Sequence, residues 1–267
     1  MLRTEMRNEA TKHIDQMDTL SMVQLINQEN LNAVKAVEAA LPEIAAVCDQ
    51  VAKCLEAGGR LFYIGAGTSG RLGVIDAAEC PPTFGVPQDQ VIGIIAGGEK
   101  CMRQAAEAQE DDGEAGVADL RQYALCSKDV VVGISASGGA AYVVRALAYA
   151  NEVGAVSVSL SSNRNTAMEA VAKMAIVVDT GPEVITGSTR MKSGTAQKLV
   201  LNMLSTCAMV KTGKVYENLM INLRPSNQKL KKRMIRIVCE IKCCDEAAAE
   251  RLLEENDWII RKAVEKP

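Results

Sequence analysis

The chain has 267 residues, of which 48% are hydrophobic, 24% charged and only 3% aromatic. This length suits one domain with appendages, and 30 basic against 33 acidic residues exclude the strong positive field typical of nucleic-acid-binding proteins. No apolar run approaches the roughly 20 residues that a membrane-spanning helix needs, and the polar N-terminus lacks a secretory signal. We therefore expect a cytoplasmic protein with neither a nucleic-acid nor a membrane partner.

Cysteine and histidine content narrows the possible chemistry. Nine cysteines lack the spacing of a zinc ribbon, and the only histidine is His13, far from the cluster of Cys239, Cys243 and Cys244. We predict reduced thiols and no metal site, and the role of the cluster stays open. A Ser-His-Asp hydrolase is improbable with one histidine, so acid–base chemistry must come from carboxylates or lysines.

Hydrophobic periodicity divides the chain into elements. Residues 17–57 have helical spacing with a junction at Pro42, and later helices are predicted at 99–110, 140–152 and 189–212. Short apolar runs rich in β-branched residues predict strands. These lie at residues 60–64, 91–95, 129–134, 155–160 and 175–178.

Strands that alternate with helices of this length predict a central parallel sheet with helices on both faces. Residues 226–264 carry no strand signal and predict short helices instead. We therefore divide the chain into an N-terminal helical segment (1–43), an α/β domain (44–217) and a small C-terminal helical subdomain (218–267). Ligands of such sheets bind beyond the carboxyl ends of the strands, so the loops that follow strands are the candidate sites.

The first such loop is Gly-Ala-Gly-Thr-Ser-Gly-Arg, residues 65–71. It matches a dinucleotide fingerprint only weakly, because the expected acidic residue at the end of the next strand is missing. Gly67, Thr68 and Ser69 place hydroxyls and backbone N–H groups at a helix start, which suits a phosphate monoester. The alternative is a tight turn with Thr68 or Ser69 as the helix cap, and this loop alone does not separate the two.

A second loop of the same kind, Ser-Ala-Ser-Gly-Gly, follows the third strand at residues 135–139. Ser135, Ser137 and Gly138 again combine hydroxyls with free backbone at a helix start. Two such turns on one sheet are better explained by one shared anion site than by two coincidental caps. The pair therefore predicts a small phosphorylated ligand.

At this point the sequence resembles a known family. The two loops are similar to the phosphate cradle of sugar isomerase (SIS) domains, and longer runs resemble the N-acetylmuramic acid 6-phosphate etherases. The matching runs are residues 4–11, 58–73, 76–85 (Asp-Ala-Ala-Glu-Cys-Pro-Pro-Thr-Phe-Gly), 95–98, 181–198 and 201–206. Together they extend over nearly the whole chain.

The resemblance implies a three-layer α-β-α sandwich of SIS type and a lyase that needs neither metal nor nucleotide. Family members remove the C2 proton of the open-chain sugar aldehyde, eliminate D-lactate from C3 and then add water. Glu79 matches the general acid that protonates the leaving oxygen, and Glu110 matches the base for the C2 proton. From the residues alone, Glu79 could be a helix-surface carboxylate, and Glu110 an exposed helix-end charge among Glu107, Asp111 and Asp112.

A third candidate segment precedes the predicted helix at 189–212. Glu183, Ser188 and Thr189 are predicted sugar contacts, with an ordinary helix cap as the alternative. Arg190 and Lys192 would serve the ligand or a subunit contact. Because the helix is apolar on more than one face, we also predict a homodimer.

The chain departs from the family pattern directly after the second loop. Gly139-Ala140-Ala141 stands where the family usually has Arg-Thr-Pro, so a threonine hydroxyl for the phosphate is missing at Ala140. Losing one hydrogen bond to a charged group costs about 1.5–3 kcal/mol, or roughly 10- to 150-fold in affinity. Two alternatives therefore stay open, namely a non-catalytic phosphosugar-sensing regulatory protein and an aldose–ketose phosphosugar isomerase.

Overall fold

A five-stranded parallel sheet forms the centre of the molecule in a computed structural model, which describes residues 1–104, 107–225 and 227–265. The strands are β1 Leu61–Gly65, β2 Val91–Ile95, β3 Val130–Ile134, β4 Val156–Ser161 and β5 Met174–Val177. Their order in the sheet is β2-β1-β3-β4-β5, with every neighbouring pair parallel. All five predicted strands and the parallel sheet are confirmed.

Helices cover both faces of this sheet. The helices of the described chain are α1 Thr19–Glu38, α2 Leu41–Glu56, α3 Gly67–Phe84, α4 Gly113–Gln122, α5 Ala141–Val153, α6 Ala167–Val171, α7 Lys192–Lys211, α8 Gln228–Lys242, α9 Glu246–Glu254 and α10 Ile260–Glu265, of which the last three lie apart from the sheet. Three short 3₁₀ turns precede α1, at Arg3–Glu5, Glu9–Thr11 and Ile14–Gln16. No helix among the described residues has the length and apolarity needed to cross a membrane.

Side chains of β1 alternate between two separate cores. Leu61 and Tyr63 belong to a core shared with α1, α2, α3 and α7, whereas Phe62 and Ile64 belong to one shared with α4, α5 and α6. Helices cover the sheet on both sides, which explains the continuous apolar runs of the strands. The predicted three-layer α-β-α sandwich is confirmed.

The prediction of a helix at residues 99–110 is wrong. The described residues of this segment form two 3₁₀ turns, Glu99–Met102 and Glu107–Asp111, and the crossover helix is α4, whose start is capped by Asp112. The side chain of Arg71 donates hydrogen bonds to the carbonyls of Cys101, Met102 and Gln104. Carbonyl groups engaged in this way are directed to a side chain rather than along a regular α-helix.

The predicted helix at 189–212 exists as α7 but starts three residues later. It packs against α1, α2 and α3, so Val200, Leu201 and Leu204 are buried within the chain's own core. Because these contacts explain why the helix is apolar on several faces, α7 no longer supports the predicted homodimer. The oligomeric state stays a prediction that needs other support.

The last three helices form a small bundle with its own core. That core consists of Ile221, Leu223, Met234, Ile237, Val238, Ala249, Leu253, Ile260 and Ala263. The segment before the bundle touches the end of α3, where a Cβ on Gly85 would lie 1.8 Å from the carbonyl oxygen of Asn222. The division at 43/44 falls inside α2, and the three-part organisation stays a prediction.

Candidate functional site

The first predicted loop is the start of α3. β1 ends at Gly65 and α3 begins at Gly67, so Thr68 and Ser69 lie in the first helical turn. The helix starts close against its strand, and only glycine at position 70 permits this approach. A Cβ there would be 2.4 Å from the Gly65 carbonyl oxygen. Ala66 at the N-cap offers no side-chain hydrogen bond, which leaves first-turn N–H groups available to an anion.

Ser69 connects this turn to α7. Its hydroxyl is buried and donates a 2.9 Å hydrogen bond to Oε1 of Gln197, which is 1% exposed. Nε2 of Gln197 has no hydrogen-bond partner among the described residues. A half-turn of the amide would let Nε2 donate to Ser69 and would release the serine hydrogen for a phosphate oxygen.

Gln197 is thus a candidate site residue that the sequence alone did not indicate. It lies in the run 181–198 that carries the family resemblance, but its role depends on a contact between α3 and α7. These two helices start side by side, since a Cβ on Gly194 would be 3.4 Å from the Thr68 methyl group.

The two serines of the second loop form hydrogen bonds within the loop. The Ser135 and Ser137 hydroxyls are 3.2 Å apart, and they accept hydrogen bonds from the N–H groups of Gly138 and Gly139. Gly138 has φ +74°, and a Cβ there would meet Thr166 at 2.5 Å. The loop thus holds its backbone N–H groups in a tight turn, with Ser137 only half-buried.

Ala140 occupies the N-cap of α5 and offers no side-chain hydrogen bond. The threonine usual in the family would supply a hydroxyl at this helix start. The departure from the family pattern therefore lies at the edge of the second loop itself.

Both loops lie at the same edge of the sheet. β1 and β3 are paired neighbours in parallel register, from Leu61 opposite Val130 to Gly65 opposite Ile134. Their carboxyl ends therefore place the α3 start beside the second loop. The structure brings the two predicted phosphate loops together, as the sequence interpretation expected.

Glu183 is fully buried at the start of α7. Its two carboxylate oxygens accept hydrogen bonds from the backbone N–H groups of Lys192 at 3.0 Å and Ser193 at 2.9 Å. It therefore caps α7 and satisfies N–H groups that would otherwise be unpaired. Ser188 and Thr189 are half-buried in the turn before the helix. The predicted sugar contacts of all three residues stay predictions.

Lys192 forms an ion pair within the chain. Its ammonium group is 1% exposed and lies 2.5 Å from Oε2 of Glu29 on α1, which also accepts from Asn8 at 2.7 Å. Burial opposes ionisation of Glu29, but the hydrogen bonds from Lys192 and Asn8 outweigh it and lower the pKa. Lys192 thus connects α7 to α1 through Glu29, and Asn8 connects the N-terminal turns to the same carboxylate. Arg190 is exposed.

The two predicted catalytic carboxylates lie in different parts of the chain's surface. Glu79 is exposed on α3, ten positions after Ser69 and hence about 15 Å further along the helix. The final turns of α3 border a cavity of about 480 Å³ that Val91, the first residue of β2, also lines. Within one chain, the structure therefore does not bring Glu79 to the phosphate loops.

Glu110 lies at the edge with the loops. It belongs to the 3₁₀ turn Glu107–Asp111, which packs against α5, the helix that follows the second loop. Its neighbour Gln109 lies 3.0 Å from where a Cβ on Gly97 would be, just after β2 ends. The Glu110 side chain is exposed, as expected for a residue in a charged segment.

A parallel sheet with two hydroxyl-rich helix starts at adjacent strand ends defines the class of SIS phosphosugar-binding proteins. The SIS domain profile matches residues 119–206, and that of the glucokinase regulatory protein N-terminal SIS domain matches residues 43–151. Among solved structures, phosphoheptose isomerase GmhA from Neisseria gonorrhoeae is similar with a TM-score of 0.55 and 19% identity, over 72% of this chain and 98% of that one. A phosphoheptose isomerase from Francisella tularensis matches with a TM-score of 0.52 and 17% identity, over 72% of this chain and 98% of that one. At this identity the likeness concerns the fold alone.

Relatives with higher sequence identity show which family within this class the chain belongs to. The N-acetylmuramic acid 6-phosphate etherase of Halalkalibacterium halodurans is 52% identical over 98% of this chain and 88% of its own length. That of Pasteurella multocida is 52% identical over 98% of this chain and 87% of its own length. The chain belongs to the N-acetylmuramic acid 6-phosphate etherase family, which confirms the resemblance found in the sequence.

Proposed function

We propose that the chain is a carbon–oxygen lyase that converts N-acetylmuramic acid 6-phosphate into N-acetylglucosamine 6-phosphate and D-lactate. The observation that carries the substrate class is the pair of hydroxyl-rich loops at the ends of β1 and β3. The reaction is supported by 52% identity to proteins named as etherases of this sugar phosphate.

In this proposal, the phosphate binds the first-turn N–H groups of α3, with Ser69 and Ser137 as hydroxyl donors and Thr68 assisting. Glu110 then removes the C2 proton of the open-chain aldehyde. The C3–O bond breaks, C2 and C3 become doubly bonded, and D-lactate leaves with a proton from Glu79. Water then adds hydroxide to C3 and a proton to C2, which restores a saturated sugar.

We further propose a homodimer in which Glu79 serves the phosphate site of the second copy. Glu79 lies on α3 toward the end away from the phosphate loops of its own chain, about 15 Å along the helix from Ser69. One helical turn before it, Ile75 is 51% exposed, an apolar side chain that a partner would cover. A second copy placed on this face would bring Glu79 to a phosphate site.

A phosphosugar sensor is the second candidate. The observation that favours it is Ala140, where the missing hydroxyl weakens the second loop while both glutamates remain. Such a protein would bind the phosphosugar without turning it over.

The deciding experiment incubates the purified chain with N-acetylmuramic acid 6-phosphate and measures D-lactate with a coupled dehydrogenase. We expect lactate release that falls at least about 100-fold in Glu79→Gln, since an acid–base group typically supplies about 10²–10⁴-fold. Binding without any lactate would support the sensor. Interconversion of aldose and ketose phosphates without lactate would support an isomerase and overturn the etherase.

A further inference from the structure

The C-terminal bundle carries a basic pocket that the proposed reaction does not use. Its volume is about 420 Å³, and it lies along α8 and the first residue of α9. Four cations line it, namely Lys229, Lys232, Arg233 and Arg236, against the single carboxylate of Glu246. The spacing of the cations places all four on one face of α8.

The charges of this pocket are largely unopposed. Residues 218–239 contain six basic residues and no acidic one, although the whole chain carries a net charge of −3. In the described part of the chain, Lys229, Lys232 and Arg236 form no ion pair. The Arg233 guanidinium lies 3.8 Å from the sulfur of Met220, a contact that brings no negative charge.

This arrangement is unfavourable for α8 by itself. Like charges three and four residues apart repel each other, and cations in a first turn oppose the helix dipole. The first turn of α8 contains no acidic residue that would offset either effect. An anion bound in the pocket would offset both the repulsion between the cations and their unfavourable interaction with the helix dipole.

We propose that the α8 pocket, lined by these four cations, binds a small phosphorylated anion with at least two negative charges. Its volume lies within the range of about 300–1,000 Å³ typical of small-molecule sites. Arginine forks and lysine ammonium groups together suit phosphate oxygens.

Single-stranded nucleic acid and an anionic lipid surface fit this pocket less well than a small anion does. No aromatic side chain lines the pocket in the described part of the chain, whereas grooves for single-stranded nucleic acid use aromatic stacking platforms. The opposite face of α8, with Met234, Ile237 and Val238, is buried in the bundle core. It is therefore not available for insertion into a lipid surface.

The chain contains its own reporter for this pocket. Trp258 is the only tryptophan, and the Lys231 ammonium group on α8 lies 5.0 Å from the centre of its ring. We would titrate inorganic pyrophosphate into the full chain and follow Trp258 fluorescence, with calorimetry on the same samples for binding that leaves the fluorescence unchanged. We expect saturable binding that weakens as salt rises from about 50 to about 200 mM, by screening of exposed charges.

Charge-removing variants test the location. Arg236→Gln should bind pyrophosphate about fivefold more weakly, and Lys232→Gln with Arg236→Gln about 25-fold more weakly. Arg251→Gln is the matched control, because it removes an exposed cation from the same bundle outside the pocket. Ser69→Ala should leave the Trp258 fluorescence response unchanged, because Trp258 lies in the bundle with α8, and this separates the α8 pocket from the proposed substrate site.

Three results would overturn the proposal. Absence of saturable binding by both methods would remove the site, and equal weakening in Arg251→Gln would reduce the effect to net charge. Binding of a single-stranded oligonucleotide that is tighter than that of pyrophosphate and grows with its length would assign the surface to nucleic acid instead.

Discussion

The hydrogen bond from Ser69 to Gln197 decides whether this serine has a hydrogen to offer a phosphate. A serine hydroxyl has one hydrogen, and here it points to Oε1 of Gln197 while Nε2 of the same amide has no partner among the described residues. Reversing the amide would give Nε2 a partner and would free the Ser69 hydrogen for a phosphate oxygen. Gln197 would therefore act as a positioning residue for Ser69.

Replacing Gln197 by glutamate tests this arrangement. A carboxylate only accepts, so it would hold the Ser69 hydrogen and place a negative charge beside the phosphate. We expect Gln197→Glu to weaken binding of the phosphosugar about 10- to 150-fold, as for loss of a charged hydrogen bond, and to leave the weak binding of the unphosphorylated sugar unchanged. Calorimetry with both sugars measures the difference.

Ser69→Ala is the matched control, because it removes the hydroxyl itself. Its loss of phosphosugar affinity should be similar, and the double variant should lose less than the sum of the two, since the hydrogen bond is lost only once and only the added charge acts separately. Fully additive losses would mean that Gln197 does not act through Ser69.

The roles proposed for the two glutamates divide the reaction into separable steps. If Glu110 removes the C2 proton, Glu110→Gln should stop both C2 exchange with solvent deuterium and lactate release. Glu79→Gln should block lactate release and still permit C2 exchange, because deprotonation comes first. Nuclear magnetic resonance of the substrate in D₂O follows both events. Full lactate release in Glu79→Gln would rule out its assignment as the acid.

At the scale of elements, Asp129 fastens the amino ends of β1 and β3. Its carboxylate is 1% exposed and accepts from the side chain and backbone N–H of Arg60 and from the backbone N–H of Cys126. Burial alone would raise its pKa, but these hydrogen bonds from Arg60 and Cys126 lower the pKa below the ordinary 3.8. The carboxylate is thus stabilised in its charged form by the fold.

This pKa gives a stability prediction with a definite sign. A carboxyl group with a lower pKa in the folded chain stabilises the fold above its unfolded value and loses that effect as pH falls through the folded value. Asp129→Asn should therefore cost about 2 kcal/mol in urea unfolding at pH 7, with the deficit shrinking below about pH 4.

Asp49→Asn is the control for this prediction. Its ion pair with Lys211 has both side chains more than half exposed, so the change should cost much less stability than Asp129→Asn does. Equal costs for the two variants would mean that burial of Asp129 does not matter for its contribution.

Strands were predictable from sequence, while the segment after β2 was not. Each strand is a short apolar run, because both faces of the sheet are covered, and that pattern is local. The 3₁₀ turn Glu99–Met102 depends on Arg71, which lies about thirty positions earlier. The Arg71 guanidinium donates hydrogen bonds to backbone carbonyls of this segment. Periodicity within residues 99–110 contains no information about that contact.

The same distinction applies to the site. The placement of Ser69 and Ser137 at one edge of the sheet was predictable, because each follows a strand, and neighbouring parallel strands bring their carboxyl ends together. The contact of Gln197 with Ser69 was not, because it depends on how α7 packs on α3. The position of Glu79 follows from helix geometry once α3 is known to continue unbroken from Gly67 to Phe84.

At the scale of the whole molecule, the site as proposed is incomplete within one chain. The phosphate loops and Glu110 lie at the carboxyl edge of the sheet, whereas Glu79 lies on α3, well away from that edge. Two impaired variants therefore give a direct test of the proposed dimer. In the proposed dimer, Ser69→Ala would damage a phosphate site, and Glu79→Gln would remove the acid that serves the other copy.

Mixing these two variants under conditions that exchange subunits should restore activity at low substrate concentration. In a mixed dimer, one site combines the intact Ser69 of one chain with the intact Glu79 of the other, so about a quarter of wild-type lactate release should return when half of the dimers are mixed. Each variant alone, and the double variant mixed with either, should stay impaired. If mixing restores nothing although light scattering shows that dimers form and exchange, Glu79 acts within its own chain or not at all, and the shared site is wrong.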